Sequence, residues 1–239
     1  MDYTDYVSGI SFRFIQPHSP PPNPALMKRL ERFGLSLELM NTRIPSGERS
    51  MKRSLRKICK IPKMSTFAVG AMINAGVSQM ADGEVFVNVG VWHGFTFFSG
   101  LINHPKKKCI GVDNFSGFGG PKGTFMENFN KLKGEAHRFY EMDYLQYFST
   151  IHKEPVGFYL YDGDHSYENQ LKGLQAAEPF FSDRCIILVD DTNWDEPRRA
   201  TMDFMAQSSK SYRIIFDQKT YRNAHPTFWN GITIFQRIP

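Results

Sequence analysis

From residue 84 to the end of the chain, short apolar runs alternate with longer segments in which apolar residues recur every three or four positions. The runs are typical of buried strands and the longer spacing is typical of amphipathic helices. Seven strands are predicted, over 84–89, 108–112, 137–142, 156–161, 185–189, 212–216 and 231–237. Helices are predicted between them over 92–103, 123–133, 144–151, 166–181 and 198–208.

Regular alternation of strands and helices indicates an α/β fold in which helices cover both faces of a mostly parallel sheet. We therefore predict a Rossmann-like, doubly wound sheet of seven strands, and we expect the last strand to be antiparallel. This domain is predicted to cover residues 81–239.

The first 80 residues follow a different pattern. Residues 16–24 contain five prolines and cannot form a helix or a central strand, so they are predicted to be an extended arm or linker. Helices are predicted over 25–40, 46–61 and 65–81. We expect residues 1–80 to form an arm and helical extension that caps the crevice of the main domain, contacts a second copy in a homo-oligomer, or does both.

Composition places the chain among ordinary globular proteins, because 41% of its 239 residues are hydrophobic. No run approaches the ~18 apolar residues of a membrane helix, and the start lacks the pattern of a secretory signal. Cys59, Cys109 and Cys185 lack metal-type spacing, and we interpret them as core or subsurface residues. A cytoplasmic protein without a membrane partner is expected.

Positive charge is concentrated in the first third of the chain. The whole chain has a formal charge of +5, while residues 1–80 alone carry +7. The basic segment 49–63 fits either an anionic partner such as nucleic acid or one solvated helix face. We favour the solvated face and expect no nucleic-acid partner, since the segment has no interleaved aromatic residues to stack on bases.

Acidic residues follow two of the predicted strands directly. Asp162 and Asp164 come after the strand over 156–161, and Asp190 and Asp191 end the strand over 185–189. A right-handed crossover would bring both acidic ends to the edge of the sheet at which α/β proteins bind ligands. Crowded carboxylates repel one another unless protons or a cation compensate them, so a divalent ion such as Mg²⁺ is predicted at this edge.

A second candidate site lies at the turn after the first of these seven strands. Gly90 and Gly94 allow either close approach of a ligand or simply a tight structural turn. Asp113 follows Gly90 by 23 residues and ends the next strand, where an acidic residue in a nucleotide-binding unit accepts hydrogen bonds from ribose. Asp143, after the third strand, would face an adenine edge, cap the helix that starts at Tyr144, or do both.

Four motifs carry a resemblance to a known family: Val87-Asn88-Val89-Gly90 with Gly94, Gly111-Val112-Asp113-Asn114-Phe115, Tyr161-Asp162-Gly163-Asp164-His165-Ser166-Tyr167-Glu168, and Val189-Asp190-Asp191. Together they resemble the class I S-adenosylmethionine-dependent methyltransferases. Within that class the chain is most similar to metal-dependent O-methyltransferases that act on sugars of natural products, on catechols or on caffeoyl-coenzyme A. The resemblance covers about residues 81–239.

The resemblance implies a role for each matching residue. Asp162, Asp190 and Asp191 would hold Mg²⁺ or another divalent cation, His165 would act as general base, and Asp162 would contribute to catalysis and to cofactor binding. S-adenosyl-L-methionine would be bound by six further residues, namely Asn88, Gly90, Gly94, Asp113, Asn114 and Asp143. Asn88 stands where the family usually has Glu or Asp.

The expected reaction is methylation of a hydroxyl on a small acceptor, a sugar or a phenol. A sugar hydroxyl is a weak nucleophile, and metal coordination would lower its pKa while His165 accepts the proton. Two alternatives stay open. Asp162-Gly163-Asp164 would serve as the metal motif of a nucleotide-sugar glycosyltransferase, or the chain would bind S-adenosylmethionine without catalysing a reaction.

Overall fold

The computed structural model describes residues 1–23, 25, 29–30, 32–33 and 35–239. Helices run over Tyr3–Ser8, Leu37–Asn41, Glu48–Leu55, Phe67–Gln79, Phe95–Leu101, Lys122–Leu132, Tyr144–Thr150, Tyr167–Ala177 and Asp195–Gln207, with 3-10 turns over Ile58–Lys60 and Glu178–Phe180. The helix predicted over 25–40 falls partly outside the described residues. Its last part forms the Leu37–Asn41 helix, which begins after the extended Ser36.

Nine strands are described: β1 (Ser11–Phe12), β2 (Thr42–Arg43), β3 (Val85–Val89), β4 (Lys108–Asp113), β5 (His137–Glu141), β6 (Val156–Tyr161), β7 (Phe181–Asp190), β8 (Ser211–Gln218) and β9 (Ile232–Ile238). The last seven form one sheet in the order β5-β4-β3-β6-β7-β9-β8, and the first two form a small separate pair. In the large sheet β9 runs antiparallel to both of its neighbours, β7 and β8, and the other neighbouring strands are parallel. The predicted Rossmann-like sheet with an antiparallel last strand is therefore confirmed.

Hydrophobic packing on the two faces of the sheet explains why its strands read as nearly continuous apolar runs. Alternate residues of β6 point to opposite faces, so Phe158 and Leu160 enter one core cluster while Tyr159 and Tyr161 enter the other. The Phe67–Gln79 helix packs in the first cluster and the Tyr167–Ala177 helix in the second. Every residue of β3 and β6 is buried.

Side chains from the first 80 residues enter the same core as the sheet. Tyr3 packs edge-on against Phe158, with ring centroids 6.1 Å apart, and Phe12 packs edge-on against Phe228 at 5.1 Å. The Tyr3–Ser8 helix was not predicted. It is only six residues long and leaves little periodic signal, although Asp2 caps its first turn.

The described part of the proline-rich arm, residues 16–23, contains neither helix nor strand and lies against the loop that joins β8 to β9. The backbone carbonyl of Pro17 accepts a hydrogen bond from Tyr221 N at 2.7 Å. The buried ring of His225 lies with Nε2 3.0 Å from the Ser19 carbonyl and with Nδ1 2.7 Å from Thr227 Oγ1. The arm therefore fixes this loop from outside the sheet.

The state of the thiols agrees with a further prediction. Cys109 and Cys185 are buried, Cys59 is half-buried, and all three are free, which confirms that they are core or subsurface residues. Across the described ranges, no helix combines the length and the apolar character needed to cross a lipid bilayer.

Gly76 sets how closely the Phe67–Gln79 helix approaches β6. A Cβ atom at this position would lie 2.1 Å from Phe158 Cε2. We expect Gly76→Ala to lower the free energy of unfolding by about 1–3 kcal/mol, since the helix and the ring must move apart. Urea denaturation measures this. Gly123→Ala is the control, because a Cβ atom there meets nothing within 4 Å; equal effects of both substitutions would contradict the packing argument.

Candidate active site

A cleft of about 600 Å³ lies at the carboxyl edge of the sheet, where β3, β4, β6 and β7 end. Six of the predicted site residues line it together: Gly90, Gly94, Asp113, Asp162, His165 and Asp191. The other four, Asn88, Asn114, Asp143 and Asp190, do not line it. Residues 62–65, from the N-terminal part of the chain, form part of the same wall.

Both glycines of the turn after β3 are required by contacts within the protein. Gly90 has φ +79°, and a Cβ atom there would lie 2.0 Å from the Asp162 carbonyl oxygen. Gly94 has φ +101°, and a Cβ atom there would lie 2.2 Å from the ring of Phe98. The structural interpretation of these glycines is therefore sufficient to explain them, while their close approach to a ligand stays a prediction.

Asp113 joins the ends of β3 and β4 through its carboxylate. Oδ2 accepts hydrogen bonds from Val91 N at 2.8 Å and from Trp92 N at 3.0 Å, and Oδ1 accepts one from Phe115 N at 2.7 Å. A carboxylate has about four acceptor sites. One site on Oδ1 is therefore left to face the cleft.

The predicted cofactor residues outside the cleft each support a backbone turn. Asn88 is fully buried, and its Nδ2 donates to the Gly90 carbonyl at 2.8 Å while its Oδ1 has no partner among the described residues. Asn114 Oδ1 accepts from Ser116 N at 3.0 Å. Asp143 Oδ1 accepts from Leu145 N at 2.8 Å, which confirms its predicted role as a helix cap.

His165 brings the two acidic strand ends together. Its Nε2 lies 3.7 Å from Asp162 Oδ1 and 3.4 Å from Asp191 Oδ2. Its Nδ1 lies 3.4 Å from Oε1 of the fully buried Gln170. The imidazole is thus held between two carboxylates on one side and an amide on the other.

Hydrogen bonds from two other elements hold these carboxylates in place. Thr96 Oγ1 donates to Asp162 Oδ2 at 3.4 Å. Asn230 Nδ2 donates to Asp191 Oδ1 at 2.7 Å, and Asn230 Oδ1 accepts from Ala224 N at 2.7 Å. Asn230 therefore links the carboxyl edge of the sheet to the loop that the proline-rich arm contacts.

Burial and neighbouring carboxylates shift the pKa values at this edge upward. Burial, together with the neighbouring Asp162, raises the pKa of Asp191 to about 6, against the lowering effect of His165 and Asn230. Burial and the charges of Asp191 and Asp162 raise the pKa of Asp190 well above its ordinary value. For His165, burial lowers the pKa, but Asp162 and Asp191 outweigh it, so the pKa lies above its ordinary value.

The predicted metal centre is not assembled in this arrangement of side chains. Among the residues that the structure describes, no group of three or more His, Cys, Asp and Glu side chains is arranged to hold a metal ion. His165 lies between Asp162 and Asp191, and the buried Asp190 carboxylate accepts a hydrogen bond from Asp191 N at 2.8 Å. The three predicted metal ligands, Asp162, Asp190 and Asp191, nevertheless all offer carboxylate oxygens, which hard divalent cations prefer.

Strained backbone surrounds the cleft, and the sequence gives no signal of it. Five residues other than glycine have positive φ and line the cleft: Trp92, Phe115, Phe118, Asp191 and Trp229. Their φ angles lie between 46° and 58°. Such conformations cost of order 1–3 kcal/mol each and tend to occur at functional sites.

Comparison with known proteins gives a direct indication of function. Residues 87–192 match a protein family described as a methyltransferase domain. The matched range begins in β3 and ends just after Asp191, so it contains both the glycine turn and the two acidic strand ends. No curated protein sequence matches this chain.

Several solved structures share the fold over nearly the whole chain. Cofactor-bound Rv0187 from MTB is 14% identical with a TM-score of 0.59, covering 91% of this chain and 97% of that one. CalS11, a TDP-rhamnose 3'-O-methyltransferase of calicheamicin biosynthesis, is 17% identical with a TM-score of 0.56 (92% and 96% covered). A proposed caffeoyl-CoA O-methyltransferase from Staphylococcus aureus is 8% identical with a TM-score of 0.56 (89% and 98% covered).

The three hydrogen bonds to Asp113 predict the effect of an isosteric substitution. In Asp113→Asn the amide group would direct its own N–H groups at backbone donors, so at least one donor would lose its acceptor. We expect the free energy of unfolding, measured with urea, to fall by about 1–3 kcal/mol. Asp164→Asn is the matched control, since Asp164 Oδ1 accepts from Ser166 N at 2.8 Å and asparagine retains this acceptor. A stable Asp113→Asn protein would show that the bridge between β3 and β4 is dispensable.

Proposed function

We propose that this chain is a class I S-adenosylmethionine-dependent methyltransferase that transfers the methyl group to a hydroxyl of a small acceptor, a sugar or a phenol. The observation that carries the proposal is the position of His165. Its imidazole lies in the cleft between Asp162 and Asp191, inside the matched domain and beside the turn that contains Gly90.

We propose that the cofactor occupies the side of the cleft formed by Gly90, Gly94 and Asp113. The free acceptor site on Asp113 Oδ1 suits a ribose hydroxyl, and the glycine turn leaves the backbone accessible. S-adenosylmethionine supplies an activated methyl group on a sulfonium. The turns around this side are supported by Asn88, Asn114 and Asp143. Asp162 lines the same cleft.

His165 is the proposed proton acceptor. A neutral imidazole at this position would take the proton of the acceptor hydroxyl through Nε2 as the oxygen attacks the methyl group. The resulting imidazolium would be stabilised by Asp162 and Asp191, whose carboxylates flank the same nitrogen. Gln170 Oε1 would accept a hydrogen bond from Nδ1 and so leave Nε2 free for the proton.

We further propose that Asp162, Asp190 and Asp191 hold a divalent cation such as Mg²⁺. Burial raises the pKa of each of these carboxyl groups, and the charge of Asp162 adds to this effect at Asp190 and Asp191, so a cation would relieve the repulsion. A bound cation would lower the pKa of the acceptor hydroxyl. Binding would require the His165 imidazole to move away from Asp162 and Asp191, so these carboxylates would stabilise the imidazolium only while no cation is bound.

Substitution of His165 tests the proton-transfer step. His165→Gln should lower kcat by about 10²–10⁴-fold, the usual contribution of a general base, while the affinity for S-adenosylmethionine stays within about twofold. Calorimetric titration measures the affinity, and methyl transfer to a panel of sugars and phenols measures kcat. Asp164→Asn, in the same turn, should retain activity. Binding of UDP-sugars in preference to S-adenosylmethionine would contradict the proposal and favour a glycosyltransferase.

Removal of divalent cations tests the metal proposal separately. EDTA should lower turnover and Mg²⁺ should restore it, and calorimetry should detect Mg²⁺ binding that is lost in Asp191→Asn. Asp195→Asn, a nearby carboxylate outside the cleft, is the control. Full turnover in EDTA together with no heat of Mg²⁺ binding would refute the metal site and leave methyl transfer intact.

A further inference from the structure

Carboxylates outnumber cationic side chains on the described walls of the cleft. The acidic residues are Asp113, Asp162, Asp164, Asp191 and Glu196, whereas Lys63 and His165 are the basic ones. Asp113, Asp162 and Asp191 already have the roles proposed above. Asp164 and Glu196 are exposed and have no such role, and both carry negative charge at the mouth.

Lys63 does not offset this charge, because its ammonium group is already neutralised within the protein. Its Nζ lies 2.9 Å from Glu38 Oε1 and donates to the Cys59 carbonyl at 3.0 Å. It also lies 5.3 Å from the centre of the Phe95 ring. An anionic group entering the cleft would therefore meet no free cation among the described lining residues other than a protonated His165.

Aromatic rings line the same cleft as Asp164 and Glu196. Trp194 is 43% exposed, and its ring lies 6.1 Å from that of His165 in an edge-on arrangement. Trp92 and Trp229 also line the cleft. The face of an indole attracts organic cations, and tryptophan is the best of the aromatic residues in this respect.

One buried hydroxyl on the wall of the cleft has no partner within the described part of the protein. Ser65 lines the cleft and is only 5% exposed, and its hydroxyl has no hydrogen-bond partner among the described residues. Buried hydroxyls are normally hydrogen-bonded. Since a serine oxygen can accept as well as donate, an N–H or O–H group of a bound molecule would satisfy it.

We infer that the acceptor carries a positively charged amine in addition to the hydroxyl that is methylated. The ammonium group would lie near Glu196 and the Trp194 face, while the hydroxyl lies at His165. This inference rests on the proposed methyl transfer and narrows its substrate class to hydroxylated amines, such as aminosugars or phenolic amines.

The inferred class differs from the acceptors for which two of the similar structures are named. TDP-rhamnose and caffeoyl-CoA both carry phosphate groups, and CalS11 and the Staphylococcus aureus protein are named for them. Phosphates are usually bound by free arginine or lysine side chains or by backbone amides. The described lining has one lysine, and Glu38 neutralises it.

Three catechols that differ only in side-chain charge provide the test. Dopamine, 4-ethylcatechol and dihydrocaffeate carry a positive, a neutral and a negative side chain. We expect the protein saturated with S-adenosylhomocysteine to bind dopamine roughly tenfold more tightly than 4-ethylcatechol, as one ion pair and one cation–π contact would give. Dihydrocaffeate should bind most weakly. Calorimetry measures these affinities without requiring turnover.

Charge reversal at the mouth gives the matched comparison. Glu196→Lys should abolish the preference for dopamine, whereas Asp195→Lys should retain it, because both residues lie in the first turn of one helix but only Glu196 lines the cleft. Equal affinity for the three catechols, tighter binding of dihydrocaffeate, or no binding of dopamine would overturn the inference. Methyl transfer to neutral acceptors would still support the proposed function. Failure of the amine inference can therefore be distinguished from failure of the proposed methyl transfer.

Discussion

The cleft depends on the hydrogen bonds by which Asp113 ties the turn after β3 to the end of β4. Three backbone N–H groups from two separate loops converge on one carboxylate. This fixes the turn at Gly90, and the missing side chain at Gly90 lets the Asp162 carbonyl approach it. The position of Asp162, and through it that of His165, therefore depends on a contact two strands away.

The fold was predictable because its strands are buried on both faces. Such strands are apolar along their whole length, so their ends are visible in the sequence, and the residues that follow them must lie at one edge of the sheet. For this reason Asp162, His165 and Asp191 could be placed together before any coordinates were known. The start of the helix after β3 was predicted too early, at Trp92 rather than Phe95, because positive φ at Trp92 and Gly94 delays it.

The finer division of roles was not predictable from residue types. Asp190 and Asp191 are adjacent and chemically identical, yet Asp190 is buried and does not line the cleft while Asp191 does. The difference follows from the alternating direction of successive side chains along β7 and from the left-handed backbone conformation of Asp191. Asn230 and Ser65 were also missed, since single polar residues at the end of a loop carry no pattern until the fold brings them to the cleft.

Contacts between residues 17–19 and residues 221–225 affect when the site can assemble during synthesis. His225 meets the Ser19 carbonyl across a sequence separation of 206 residues. Residues 17–19 are synthesised well before their partners at 221–225, and contacts of such high sequence separation form slowly. Asn230 belongs to the same loop and holds Asp191, so the two acidic strand ends reach their final arrangement only after translation has reached the last strand.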